Sequence, residues 1–367
     1  MKPLSVVIAG GGTGGHLYPG IAVARELQRR APGSVVTFAG TARGIEARVI
    51  PREGFGLDLL RSAGLKGTSL AARARGLALL PLGGMDAWRI LSKRRPDLVI
   101  GVGGYSSGPV VLAASLRGIP TMLLEQNAVP GLTNRLLAKV VSAAAVTFDS
   151  TVSFFGRRAF VAGNPIRQEF LNTTASDVAG GGDNGGTAPR VLIFGGSQGA
   201  HAINMAMVEA APRLADAGVA ITHQTGERDV EPVRDAYRKA GVDARVEPFL
   251  YEMDREMRAS DVVICRAGAT TIAELTAAGK PSMLIPLPTA ADDHQRKNAA
   301  VLAQAGAAEM IEQKDLSGAV IADRIRALVA DSGRRERMAA AARGLARPDA
   351  ARVIVDRALE LAARGRR

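Results

Sequence analysis

Apolar positions in the first 163 residues fall in short unbroken runs rather than in the alternation of a half-exposed sheet. LSVVIA at 4–9 and SVVTFAG at 34–40 are followed by runs at 97–101, 120–125, 142–147 and 159–163. Their length and β-branched content predict buried strands, and a glycine loop after the first run leads into a helix expected over 17–30. Short continuous strands separated by helices predict an α/β fold with a parallel sheet covered on both faces. The pattern then restarts: RVLIFGGSQGAHAINMAMVEAAPRL repeats the order strand, glycine loop, helix that opens the chain. Further strand runs lie at 219–224, 244–248, 261–265 and 281–286. Two Rossmann-like domains in tandem are therefore expected, 1–163 and 164–344. Their junction is placed at Asn164-Pro165, because the residue before a proline is pushed out of helix. The segment TTASDVAGGGDNGGT at 173–187 has no large hydrophobe beyond Val178 and falls within the start of the second domain. A helix is expected over 349–364.

Composition narrows the function classes. The chain has 367 residues, 47% hydrophobic and 22% charged, which suits two globular domains. The net charge of +12 favours a partner bearing phosphates, such as a nucleotide or an anionic membrane surface. With only 4% aromatic residues a base-stacking platform is not expected, so no nucleic-acid partner is assigned. The single cysteine, Cys265, excludes an internal disulfide and a multi-cysteine metal site and fits a reducing compartment. The N-terminal stretch MKPLSVVIAGGG does not read as a signal peptide, and no run approaches the roughly 20 apolar residues of a membrane span.

Candidate chemistry gathers at predicted strand ends. Gly10, Gly12 and Gly15 satisfy G-x-G-x-x-G, yet Gly40 and Thr41 stand where a dinucleotide site needs an acid. Arg43 keeps an NADP site as an alternative. Read physically, GGTGGH is a phosphate cradle with His16 at its edge. GVGGY at 101–105 forms a second glycine loop, and Glu125-Gln126-Asn127 and Asn134 cluster at the same mouth. In the second domain, Cys265 ends a strand and GAT opens a helix carrying Thr270, Thr271 and Glu274. The helix start suits a diphosphate and Glu274 a ribose diol. His294, Gln295 and Asn298 suit a sugar.

Seven motifs in order, GGTGGH, GVGGY, EQN, GNPIR, FGGSQGA, CRAGATTIAEL and HQ followed by NA, resemble the MurG family, the UDP-GlcNAc transferases of peptidoglycan synthesis that convert lipid I to lipid II. The resemblance spans residues 10–299. It implies a GT-B fold, two Rossmann-like domains with parallel sheets facing a deep cleft, with a C-terminal helix, 345–367, packing back on the first domain. It implies that Arg167, Ser197 and the backbone at Leu250 hold uridine or phosphate, Ala269, Thr270 and Thr271 the diphosphate, Glu274 the ribose and Gln295 the sugar. Thr13, Gly14, Gly15 and Asn127 would meet the donor from the first domain. His16, Gly103, Gly104, Tyr105 and Asn134 would hold the acceptor and its pyrophosphate. His294 departs from relatives that have glutamine there.

The family reaction inverts the anomeric centre as the muramyl 4-hydroxyl attacks and UDP leaves. It needs a base, for which His16 is the first candidate and Glu125 the second. No obligatory metal or other cofactor is expected, since Asp292-Asp293 lacks the spacing of a metal site. Between Arg61 and Arg95 lie eight Lys/Arg and one acid, Asp86. Arg73, Arg75, Lys93 and Arg94 with Leu77, Leu80, Leu82 and Trp88 are read as a patch for an anionic leaflet. The expected place is peripheral, on the cytoplasmic face of the bacterial inner membrane, with UDP-GlcNAc, lipid I and cell-wall synthesis and division proteins as partners. Rival readings are a UDP-GlcNAc 2-epimerase, an NADP oxidoreductase and a lipid-binding scaffold.

Overall fold

The computed structural model describes residues 3–62, 70–171, 188–196 and 200–365, through the backbone alone at 70–80. The chain divides into two compact units, 1–167 with 347–367 and 168–346. The division thus falls at Arg167/Gln168, where the sequence reading set Gly163/Asn164, and the returning segment starts at Arg347 rather than 345.

Unit 1 runs β1 (Ser5–Gly10), α1 (Gly14–Arg30), β2 (Val35–Gly40), α2 (Glu46–Arg52), β3 (Gly56–Leu59), α3 (Leu70–Arg94), β4 (Leu98–Gly103), α4 (Ser107–Leu116), β5 (Thr121–Glu125), α5 (Leu132–Leu137), β6 (Ala143–Val146), α6 (Val152–Phe155) and β7 (Ala159–Val161). Its sheet has the order β3-β2-β1-β4-β5-β6-β7, and every pairing is parallel. Unit 2 runs β8 (Arg190–Phe194), α7 (His201–Leu214), β9 (Ala220–Gln224), α8 (Val230–Ala240), β10 (Ala244–Glu247), α9 (Met253–Ala259), β11 (Val262–Cys265), α10 (Ala269–Ala277), β12 (Ser282–Leu284), α11 (His294–Gln304), β13 (Ala308–Met310), α12 (Gly318–Ala330) and α13 (Ser332–Leu345). Its parallel sheet has the order β10-β9-β8-β11-β12-β13.

The unbroken apolar runs follow from burial on both sheet faces. All of β4 and β11 is buried, and two apolar clusters cover the faces of the unit 1 sheet. The last helix, α14 (Ala350–Gly365), belongs to one of them. Ile354, Val355 and Leu361 enter the core beside Leu17, Val23 and Leu27 of α1, and Arg30 pairs with Asp356 at 2.7 Å. Among the described residues no helix is long and apolar enough to cross a membrane.

Candidate active site

Strand order reverses between β1 and β4 in unit 1 and between β8 and β11 in unit 2. Open α/β sheets bind ligands beyond the carboxyl ends of strands at such switch points. The loops there are 10–13 and 103–106 in unit 1, and in unit 2 the one that starts at 195–196 and that at 266–268.

In unit 1, Gly10, Gly11 and Gly12 have φ of 148°, 156° and 85°, which only glycine adopts without strain. The two glycine loops interlock. A Cβ on Gly104 would stand 2.6 Å from the Gly11 carbonyl oxygen, and one on Gly103 would stand 2.8 Å from Cδ2 of His16. The half-buried imidazole of His16 therefore rests on bare backbone. Thr13 begins α1 in extended conformation, its Oγ1 3.1 Å from His16 Nδ1. Gly14 and Gly15 form the first turn, and the Tyr105 ring lies against Gly12.

Within the loop expected to cradle a phosphate, one donor is already taken. The Gly12 N–H donates to Oε2 of Glu46 at 2.9 Å, and the N–H and hydroxyl of Thr41 both donate to Oε1 at 2.9 Å. Glu46 is wholly buried. A Cβ on Gly11, Gly40 or Gly44 would come within 2.4, 2.6 or 2.1 Å of its side chain. The acid that the sequence lacks at Gly40 and Thr41 is thus supplied by the first residue of α2, from beneath the loop.

Glu125, at the carboxyl end of β5, is buried. Its Oε1 accepts the Asn127 N–H at 3.0 Å and Asn127 Nδ2 at 3.3 Å. Its Oε2 accepts the Gly131 N–H at 3.0 Å and Asn134 Nδ2 at 2.8 Å. Burial pushes this carboxyl above the ordinary carboxylate range, against the pull of those donors. The geometry makes Glu125 the anchor of the 127–134 loop. Asn134, read as facing an acceptor, is buried as well and also donates to the Leu124 carbonyl at 3.0 Å. Only its Oδ1 is without a partner among the described residues. Arg167 approaches the Tyr18 ring at 6.0 Å.

In unit 2, α10 begins at Gly268, which is extended and offers no side-chain cap. The first turn carries Ala269, Thr270 and Thr271. Glu274 follows one turn on and is buried. Burial first, then the charge of Glu274, pushes the Cys265 thiol up, so it is a neutral core group. Oε1 of Gln295 accepts the N–H of Ala267 at 3.3 Å and of Leu287 at 3.0 Å, tying the loops after β11 and β12 together. The Nε2 of Gln295 is then the end of that side chain left for a ligand. His294 donates from Nδ1 to the Ala291 carbonyl at 2.6 Å, and buried Asn298 donates to the Ala267 carbonyl at 3.4 Å. Leu250 is buried, with the exposed rings of Phe249 and Tyr251 on either side of it. Ser197 and the 173–187 segment lie outside the described residues. Among those described, no three His, Cys, Asp or Glu converge as metal ligands.

Sequence reasoning passed over two residues here. Glu46 is one. Gln224, buried at the end of β9, donates from Nε2 to the carbonyls of Gly196 at 3.0 Å and Pro248 at 3.4 Å. A polar residue at a strand's carboxyl end was the available signal, as it was for Glu125.

The basic and apolar patch is also redrawn. Arg94 is bound to Asp58 at 2.6 Å, Lys93 lies 3.7 Å from the same carboxylate, and Leu82 is half-buried. The side chains of Arg73, Arg75, Leu77 and Leu80 lie outside the described residues. Exposed apolar groups instead run from Met85 and Trp88 on α3 to Leu112 and Leu116 on α4 and Leu132 and Leu136 on α5. Arg117 stacks over Trp88 at 4.9 Å, and Arg89, Arg135 and Lys139 are exposed.

Two doubly wound parallel units, each with a glycine loop at its switch point, are the architecture of the GT-B fold. Residues 6–146 match the glycosyltransferase family 28 N-terminal domain and residues 190–354 the family 28 C-terminal domain. The chain belongs to glycosyltransferase family 28. It is 50% identical over 364 residues to a protein of Anaeromyxobacter sp. (strain K) named UDP-N-acetylglucosamine--N-acetylmuramyl-(pentapeptide) pyrophosphoryl-undecaprenol N-acetylglucosamine transferase, covering 98% of this chain and 94% of that one. A protein of the same name from Pelobacter propionicus is 48% identical, with 97% and 99% covered. The crystal structure of Acinetobacter baumannii MurG superposes with a TM-score of 0.80 at 31% identity, covering 98% of this chain and 100% of that one. A UDP-N-acetylglucosamine 2-epimerase structure shares the fold at a TM-score of 0.69 and 16% identity.

Proposed function

We propose that this enzyme transfers N-acetylglucosamine from UDP-GlcNAc to the 4-hydroxyl of the muramyl sugar of lipid I, giving lipid II with inversion at the anomeric carbon. The observation that carries the reading is the glycine-led start of α10 at the unit 2 switch point, with Glu274 one turn on and Gln295 bound to the preceding loop. The names of relatives at about half identity supply the substrates. Unit 2 takes the donor: the first turn of α10 the diphosphate, Glu274 the ribose, Nε2 of Gln295 a sugar hydroxyl, and the backbone at Leu250 the base. The acceptor oxygen bonds to C1 while the bond from C1 to the diphosphate oxygen breaks. The acceptor proton passes to His16. With Nδ1–H donated to Thr13 Oγ1, 3.1 Å away, the ring would take that proton on Nε2. The N–H donors and dipole of α10 stabilise the charge on departing UDP, so the reading needs no metal. Glu125 positions Asn127 and does not take the proton.

The lipid tail of the acceptor stays in the bilayer. The exposed apolar groups of α3, α4 and α5 with their arginines and lysine suit the anionic cytoplasmic leaflet. The test is incubation with radiolabelled UDP-GlcNAc and a short-chain lipid I analogue. Label in a disaccharide product that requires both substrates is the expected result. UDP-GlcNAc binding without product, or conversion to the 2-epimer, would replace the reading with a different acceptor or an epimerase.

A further inference from the structure

Strand β4 outruns its ladder with β5. Val99, Ile100 and Gly101 pair with Thr121, Met122 and Leu123, and the strand then continues to Gly103. On its other side the register with β1 shifts: Ala9 pairs with Gly101 and Gly10 with Gly103, so Val102 is passed over. Such a bulge re-aims the residues beside it. Here the residue is Gly103, with φ of 95°, on which the His16 imidazole lies. A Cβ on Gly10 would stand 2.6 Å from the Gly103 carbonyl oxygen, so this platform is pressed against the opposing loop. At the skipped position a side chain takes over from the ladder. Nε2 of Gln126 donates to the Val102 carbonyl at 3.1 Å, and since a carbonyl only accepts, the orientation of the carboxamide is fixed. Gln126 follows the end of β5 and is buried, and its Oε1 has no partner among the described residues. A buried acceptor left unpaired lowers stability, so the contribution of this side chain lies in the one bond it gives.

We infer that Gln126 is a positioning residue for His16: it latches the bulge at Val102 and so fixes the Gly103 backbone on which the imidazole rests. The action runs from Gln126 Nε2 through the Val102 carbonyl to Gly103 and the ring, with no contact to substrate. Glu125, its neighbour in sequence, is bonded to the 127–134 loop instead, so adjacent polar residues at the end of β5 hold two different loops. The effect on rate rests on the transferase reading for the role of His16. The hold on the imidazole rests on the loop alone.

The test uses the full-length enzyme, UDP-GlcNAc, a short-chain lipid I analogue and the Gln126→Met variant. Methionine keeps the length of the side chain and removes both the donor and the unpaired oxygen. The imidazole resonances of the four histidines are followed by NMR, those of His16 being identified by their loss in His16→Ala. The expected result is a kcat lowered about tenfold or more, since a misplacement of about 1 Å can cost on the order of a hundredfold. The KM for UDP-GlcNAc should stay within about twofold, and the His16 resonances alone should be displaced. In a His16→Ala background Gln126→Met should cost nothing further, because both changes act on one group. Native kcat in the folded variant would overturn the proposal. So would His16 resonances at their native positions, or a full additive loss in the His16→Ala background. A fall in melting temperature with displacement of all four histidines would reduce Gln126 to a structural group. Should Gln126→Met fail to fold, Gln126→Asn keeps the amide and draws it back from the Val102 carbonyl, and the same pattern is expected of it. A native enzyme that forms no product would sink the transferase reading instead, and the His16 resonances of native and variant would still decide whether Gln126 holds the ring.

Discussion

Behind the β1–α1 loop of unit 1 stands a carboxylate, and behind the β8–α7 loop of unit 2 stands a carboxamide. Glu46 accepts an N–H from its loop, whereas Gln224 donates an N–H to the carbonyl of Gly196. The consequences are opposite. A prop that accepts removes a donor from the loop. A prop that donates uses only a carbonyl. Two loops of similar sequence are thereby propped in opposite ways.

The largest expected effect breaks the unit 1 side. His16→Ala should lower kcat by about 10²–10⁴-fold, the usual worth of a general base, with calorimetric UDP-GlcNAc affinity unchanged. A kcat within about threefold of native would move the base elsewhere. Next comes the unit 2 side. Gln224→Glu would set a carboxylate against the Gly196 and Pro248 carbonyls and leave both without a donor. The cost of such buried groups, about 1–3 kcal/mol, corresponds to donor affinity weakened about tenfold to a hundredfold. The acceptor KM should hold, and an unchanged donor Kd would show that the loop needs no prop.

How much of this was legible in the sequence depends on whether a residue acts where it lies. The strands with unbroken apolar runs, LSVVIA and DVVIC among them, were readable because burial on both faces leaves no other pattern. β3 and β13 were not. GLDL and AEM are three or four residues long at sheet edges, and β3 is nowhere fully buried, so neither carries a hydrophobic run. The glycine loops were readable from spacing. Glu46 was not, because only the packing of α2 beneath β1 and β2 brings it under Gly12. The nearby glycines at 40 and 44 were the trace it left in the sequence. Asn134 was placed in the right neighbourhood and given the wrong direction, since no local pattern tells a buried amide on a short helix from an exposed one.

A smaller effect concerns the face that only unit 1 carries. Trp88→Glu combined with Leu116→Glu puts two charges on exposed groups of α3 and α4. Binding to vesicles containing anionic lipid should weaken about tenfold or more while UDP-GlcNAc affinity holds, because the burial of large apolar side chains and attraction to the leaflet drive such docking. Undiminished vesicle binding by a folded variant would take the α3–α4 surface out of the membrane reading.

The smallest effect probes an asymmetry in charge burial. Of the four histidines, only His223 of β9 is wholly buried. Its tautomer follows from its neighbours. Asn204 on α7 donates from Nδ2 to the Thr225 carbonyl at 2.9 Å and to Asp229 at 2.8 Å, so its Oδ1 must accept from His223 Nε2 at 3.1 Å. His223 Nδ1 then accepts the Tyr237 hydroxyl at 3.0 Å. Burial pulls this imidazole from 6.5 down to about 3, with Asp229 pulling weakly the other way. The folded value lies below the unfolded one, so the neutral histidine contributes stability that is present above pH 6.5 and declines as pH falls toward 3. The slope is about 1.4 kcal/mol per pH unit at most. Thermal unfolding between pH 7 and 5 should therefore lose stability faster in the native chain than in His223→Gln, whose carboxamide does not titrate. Equal slopes would mean that His223 is charged in the fold or that the network under α7 opens before it is protonated. Either result would separate the His223–Asn204 network from the support that Gln224 gives the Gly196 carbonyl.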